Sequence, residues 1–164
     1  MPGKIKSGQG ALIGNAGEYF VTAELLKRGY IAALAPRNSH SFDILATNIA
    51  KTIKIRVKTK TGPYNVWQWS AKIDGIIFTN LEESDDFTVL VNLTDETKDM
   101  EYYVLPTKVL DEWLRKDFDD WVSTPGKHGQ PHALDNPKRN LVYSKFSMQL
   151  EPNLNNWDIL WGDY

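Results

Sequence analysis

The chain contains no cysteine, which excludes disulfides, thiolate metal ligands and a cysteine nucleophile. A metal held here must be bound through Asp, Glu, His or backbone oxygen. There is also no apolar run of the roughly 18 residues that would span a bilayer, and "MPGKIKSGQGALIG" lacks an apolar stretch followed by a small-residue cleavage site. A soluble, cytoplasmic protein without a membrane partner is expected. The glycines of "GQGALIGNAG" follow no strand and precede no lysine-Ser/Thr pair, so the phosphate cradle of a nucleotide hydrolase is missing, as is a Ser-centred nucleophile elbow. Internal repeats and low-complexity tracts are absent too. An overall charge of −2 carries no excess of positive charge and by itself argues against a nucleic-acid partner. The average conceals an asymmetry. Residues 82–120 hold 13 of the 21 acids and four bases, leaving 15 bases against eight acids elsewhere. That distribution suggests a basic surface with an acidic back.

What is present suits one domain over residues 1–164, with enough apolar and aromatic side chains for a sizeable core. "NAGEYFVTAELLKR" (15–28) predicts a helix closed by Gly29 in the left-handed region. Strands are expected at "YIAALAP", in a hairpin over 42–59, and at "GPYNVWQWS", "GIIFTNL", "FTVLVNL" and "EYYVLP". "TKVLDEWLRKDFDDWV" has helical apolar spacing with Thr107 as its expected N-cap. The Pro- and Gly-rich residues 123–140 predict a long loop. The final segment is open between strand and helix, with an aromatic tail expected to pack back on the domain.

The hairpin raises the functional question. Pairing Asp43 with Lys58, Leu45 with Arg56 and Thr47 with Lys54 gathers Phe42, Ile44, Ala46, Ile53, Ile55 and Val57 on one face. The other face then carries an acid among bases. A solvated salt-bridged face, worth about 0–1 kcal/mol per exposed pair, accounts for this without any function. Glu18 adds weight to a functional reading, because helical periodicity places it inside the apolar arc of the first helix. A carboxylate turned toward a sheet needs a cation or hydrogen-bond donors. A place in the first helical turn, pointing to solvent, is the alternative.

Three further features bear on partners. Lys51, Lys54, Arg56, Lys58 and Lys60 run without an intervening acid and could track a phosphate backbone. Trp67 and Trp69 project to one side of an extended segment and Gln68 to the other; the tryptophans either stack on unpaired bases or seal the core. His128 and His132 have zinc-like spacing, but Gly129 and Pro131 forbid a regular helix between them. Their loop, with Lys127, Lys138 and Arg139, reads as a solvated surface or a phosphate contact.

A Glu on the first helix ("AGEYFVTAELLKRGY"), an Asp opening a strand ("SFDILATN") and a Lys on the paired strand ("IKIRVKT") together resemble the PD-(D/E)XK nuclease superfamily, especially its Holliday-junction-resolvase-like branch. The resemblance covers about residues 12–80, leaving a C-terminal helix, loop and aromatic tail over 106–164. It implies an α/β restriction-endonuclease-like core with a mixed sheet flanked by helices, DNA as partner, Mg²⁺ or Mn²⁺ as cofactor, and endonuclease activity, with a homodimer possible as in many relatives. Carried over, Asp43 is the central metal ligand, Glu18 an auxiliary ligand, the Val57 carbonyl a further ligand and Lys58 the catalytic lysine; Arg56, Lys54, Lys60, Lys51, Trp67 and Gln68 are the expected nucleic-acid contacts. Arg56 departs from the pattern, since that position is usually an acid and a guanidinium accepts no metal. Either the second carboxylate is Glu18, or Arg56 clamps a phosphate, or the chain is a nuclease-fold protein that binds DNA or another protein without cutting.

Overall fold

Period-two and helical patterns alternate along the chain, and they fold into a sheet covered on both sides. The computed structural model describes residues 9–37, 39, 41–61, 64–81, 85–93 and 98–162. In chain order the elements are α1 (Gly10–Lys27), β1 (Ile31–Leu34), β2 (Ile44–Thr47), β3 (Thr52–Thr61), β4 (Val66–Ser70), β5 (Asp86–Leu93), β6 (Glu101–Pro106), α2 (Thr107–Ser123), β7 (Lys138–Val142) and α3 (Ser147–Leu150). Two 3₁₀ turns, Glu151–Asn153 and Trp157–Leu160, follow. The main sheet has the order β1-β2-β3-β5-β6, with β3 and β5 parallel and the other neighbours antiparallel. β4 and β7 form a separate antiparallel pair. This is the expected mixed sheet flanked by helices.

Each face of the sheet has its own core. Val21 and Leu25 of α1 pack on Ile44, Ile53, Ile55 and Val89, and Trp157 and Leu160 of the tail join them. Across the sheet, Leu110 and Leu114 of α2 meet Leu90, Leu105, Trp67 and Leu141. The aromatic tail thus returns to the domain, with Trp161 stacked on Tyr30 at 4.3 Å. α1 starts at Gly10, earlier than expected, and ends where Gly29 takes φ +87°, a conformation that carries no Cβ penalty in glycine.

Three expectations need correction. "GIIFTNL" forms no strand, because left-handed Gly75 (φ +79°) and Asn80 (φ +60°) break the extended path at both ends. Phe78 is nonetheless buried through its side chain. Thr107 does not cap α2: the cap position is Pro106, and the Thr107 hydroxyl turns to Asp86. The hairpin register is two residues from the expected one, with Ile44 opposite Ile55, Leu45 opposite Lys54 and Thr47 opposite Thr52. Its turn explains the shift, since Asn48 Oδ1 accepts the N–H groups of Ala50 and Lys51 at 2.8 and 2.9 Å and tightens the connection. A slip of two preserves the faces. Ile44, Ala46, Ile53 and Ile55 therefore still share one core, with Val57 at its margin. The turn signal at Gly62 and Pro63 lies outside the described residues.

Gly17 sets the distance between α1 and the sheet. A Cβ built there would overlap the Thr59 side chain, so the helix backbone lies directly on β3. Gly17→Ala is expected to lower stability by about 1–3 kcal/mol through this overpacking, measured by urea unfolding. A melt unchanged from wild type would mean that Thr59 yields without cost.

Candidate active site

The hairpin ladder ends at Ile44 and Ile55, and β3 continues beyond the point where β2 has left it. Asp43 sits at this parting. Its N–H donates to Ile55 O (2.9 Å) and its carbonyl accepts from Ala35 N (2.8 Å). Its Oδ2 accepts the Val57 N–H at 2.7 Å. A residue's N–H and C=O leave a strand on the same edge, so the Val57 carbonyl also faces the gap beside Asp43. Burial pushes the Asp43 carboxyl above its ordinary range, against the opposing effects of the Val57 N–H, Arg56 and Lys58.

Lys58 and Glu18 complete the cluster. Burial lowers the Lys58 ammonium from its ordinary value while Asp43 acts the other way, and its Nζ lies 5.5 Å from the centre of the Trp69 ring. Glu18 reaches the gap because Gly17 seats α1 on Thr59. Its carboxyl is pushed up first by burial and then by the charge of Asp43, with Arg37 opposing. Glu18, Asp43, Lys58 and the Val57 carbonyl are thus brought to one place. α1 lies on the apolar face of the hairpin, so Glu18 meets Asp43 at the gap and not across the polar strand face.

Arg56 has another role. Its Nε and Nη2 form a fork on Asp86 of β5, at 2.9 Å to Oδ1 and 2.8 Å to Oδ2. Nη2 also donates to Thr79 O (3.3 Å), and the guanidinium lies over Phe78. Asp86 Oδ1 accepts the Thr107 hydroxyl (2.6 Å), which is bonded in turn to Thr88 (2.8 Å). The two charged side chains are 12% and 4% exposed. The fork of Nε and Nη2 is taken up by Asp86, and the guanidinium charge still favours the ionised form of Asp43.

The remaining basic row is dispersed in the same way. Lys54 lies 3.8 Å from Asp85. Lys60 is buried, donating to Asn92 Oδ1 (2.8 Å) above the rings of Trp67 and Tyr143. Lys51 Nζ is 3.5 Å from Gly162 O. Among the described residues, Arg56 and Lys60 thus turn to Asp86 and Asn92 of β5 and Lys54 to Asp85 just before it, because parallel pairing brings this part of the acidic segment alongside β3. That segment is not only a back wall, since Asp85 and Asp86 enter the polar face itself. Trp67 is a core residue, 1% exposed, with Nε1 bonded to Val91 O (3.1 Å). Gln68 is exposed and donates to Asn140 Oδ1 (2.7 Å). His132 stacks on Trp121, Arg139 packs over Phe118, and among the described residues no group of three or more His, Asp or Glu could hold a metal.

A cleft of about 210 Å³ adjoins Asp43, lined by Phe42, Trp69, Phe78 and Arg56 and by the serines Ser39, Ser41 and Ser70. Sequence reasoning assigned no role to Asp86, Arg37 or this cleft. The only signal for Asp86 was an acid at the start of an otherwise apolar strand.

The donor set suits a hard divalent cation. Glu18, Asp43 and the Val57 carbonyl offer oxygen only, and Mg²⁺ ordinarily takes one or two carboxylates while keeping several waters. Burial and repulsion disfavour the doubly ionised pair, and a divalent cation is the charge that relieves both groups. The arrangement can hold such a cation next to a cationic Lys58.

No protein-family model matches the sequence, and no curated protein is similar to it by sequence. A Holliday junction resolvase from Archaeoglobus fulgidus is a structural neighbour at 14% identity, TM-score 0.44, over 82% of this chain and 88% of that one. The stronger likeness is to a bacterial homing endonuclease, at 16% identity and TM-score 0.51 over 92% of this chain and 90% of the other. At such identity the likeness is one of fold: the chain has a restriction-endonuclease-like fold, a mixed sheet flanked by helices.

Proposed function

We propose that this chain is a Mg²⁺- or Mn²⁺-dependent endonuclease that hydrolyses DNA phosphodiester bonds, with Glu18, Asp43 and Lys58 as its catalytic residues. One observation carries the reading: two carboxyls held above their ordinary range and a desolvated lysine converge where β2 and β3 part. The homing endonuclease of the same fold supports it. A bound cation supplies charge that polarises a scissile phosphate and activates water. Asp43, fixed by the Val57 N–H, and Glu18 orient that charge. Lys58 stabilises the negative charge that builds on the attacked phosphate, and its burial strengthens that interaction.

Arg56 in the usual acid position, with two carboxylates at the gap among the described residues, favours a second reading, a nuclease-fold protein that binds DNA without cutting. Incubating supercoiled, linear, single-stranded and branched DNA with the protein in Mg²⁺ and in Mn²⁺ separates the two. Cleavage of at least one form is expected, and binding without cleavage of any of them would favour the second reading. The rate is also expected to fall on acidification while the pH is still above the ordinary carboxylate range of about 4, because Asp43 and Glu18 must ionise to hold the cation. A rate flat down to that range would contradict their assignment.

A further inference from the structure

The cleft beside Asp43 brings three aromatic rings together, those of Phe42, Trp69 and Phe78. At about 210 Å³ it is smaller than the roughly 300 Å³ of a drug-sized pocket, room for one planar ring system. Its walls combine the flat or apolar side chains of Phe42, half-buried Trp69, Ile77 and Phe78 with polar groups, three serines (Ser39, Ser41 and Ser70) together with Asp43 and Arg56. Trp69 and Phe78 brace each other edge to face at 6.2 Å. Phe78 also lies under the Arg56 guanidinium, which Asp86 holds in place. The walls are thus pre-set, which lowers the ordering cost of binding. One side of the cleft is Asp43 itself, and the Lys58 ammonium lies 5.5 Å from the centre of the Trp69 ring that forms another wall.

Resting on the nuclease reading, we propose that this cleft receives an unpaired nucleobase adjoining the scissile phosphate, so that the substrate class is DNA with a bulged, flapped or otherwise single-stranded nucleotide at the cut. A base stacked in the duplex cannot reach a recess walled by side chains, whereas an extruded one exchanges its neighbours for aromatic rings. Lys58 and the Asp43–Glu18 pair then face the phosphate on the same nucleotide. Trp69 takes the stacking role, while Trp67, two residues earlier on the same strand, belongs to the core.

The test uses three duplexes of identical sequence: one with a single bulged 2-aminopurine, one with a bulged abasic nucleotide, and one fully paired. Binding is measured in EDTA with the wild type, Trp69→Ala and Trp69→Phe. The wild type is expected to bind the bulged 2-aminopurine about tenfold or more tighter than the other two and to quench its fluorescence. Trp69→Ala should lose both effects, and Trp69→Phe should recover part of them. Because the abasic comparison needs only the wild type, a misfolded Trp69→Ala would not obscure the result. Equal, salt-dependent affinity for all three duplexes would overturn the cleft assignment and leave the nuclease reading standing. No affinity for any of them would overturn both.

Discussion

Asp43→Asn is expected to lower DNA cleavage by at least about 10²–10³-fold while raising the melting temperature at neutral pH. The two effects share one cause. The Asp43 carboxyl is harder to ionise in the folded chain than in the unfolded one. Between those two pKa values the folded chain therefore binds more protons, so stability falls as the pH rises through the interval, and the deficit persists above it. Asparagine carries no charge, and its Oδ1 can still accept the Val57 N–H, so the deficit disappears together with the cation ligand. The gain in melting temperature should shrink as the pH falls through that interval toward the ordinary carboxylate range of about 4, and should be gone below it. Lys58→Ala should reduce cleavage by a similar factor through a different route, leaving the carboxylates in place. Cleavage that survives either substitution at wild-type rate would remove that residue from the site. A melting temperature lowered by Asp43→Asn would mean that the carboxylate stabilises the fold and that its burial is compensated.

Arg56→Ala is expected to destabilise the protein by about 3–5 kcal/mol, since it leaves Asp86 charged, buried and without its fork. Asp86→Ala should cost a comparable amount by orphaning the guanidinium. The network extends through Thr107 and Thr88, so these losses are not additive with changes at those threonines. Arg56→Glu supplies the acid that the nuclease resemblance implies at that position, but sets it against Asp86 in a buried place. It is therefore expected to unfold the chain and not to improve cleavage. Urea unfolding of the three variants checks this, and an Arg56→Ala midpoint equal to wild type would show that the guanidinium is not needed to balance Asp86.

What could be seen in the sequence was what local pattern determines. Alternation over 42–59 assigns Ile44, Ala46, Ile53 and Ile55 to one face whichever even register the turn selects, so the faces were legible although the register, set by the Asn48 side chain, was not. α1, α2 and most strands carry their own periodicity, and Gly29 marks a helix end. Glu18 stood out because its charge falls inside the apolar arc of its helix, and Asp43 and Lys58 because the polar face of the hairpin sets an acid among bases. Arg56 and the other bases could not be placed by such reasoning. The partners of Lys54, Arg56 and Lys60, namely Asp85, Asp86 and Asn92, lie about thirty residues away on β5 or just before it, and nothing local announces that β3 and β5 run parallel with Lys54 beside Asp86. The strand expected at "GIIFTNL" failed for a related reason, since an apolar run reports burial and not hydrogen bonding. Trp67 and Trp69 share a strand face, and only the tertiary packing makes one a core residue and the other a cleft wall.

The most direct test of the account is calorimetric titration of the protein with Mn²⁺, repeated in two buffers of different ionisation enthalpy at mildly acidic pH. The predicted result is one site in the wild type with proton release, because burial and repulsion keep the Glu18 and Asp43 carboxyls partly protonated until the cation binds, and no site in Asp43→Asn. Absence of binding in the wild type, or binding that Asp43→Asn leaves unchanged, would contradict the assignment of this gap as the metal centre of a nuclease.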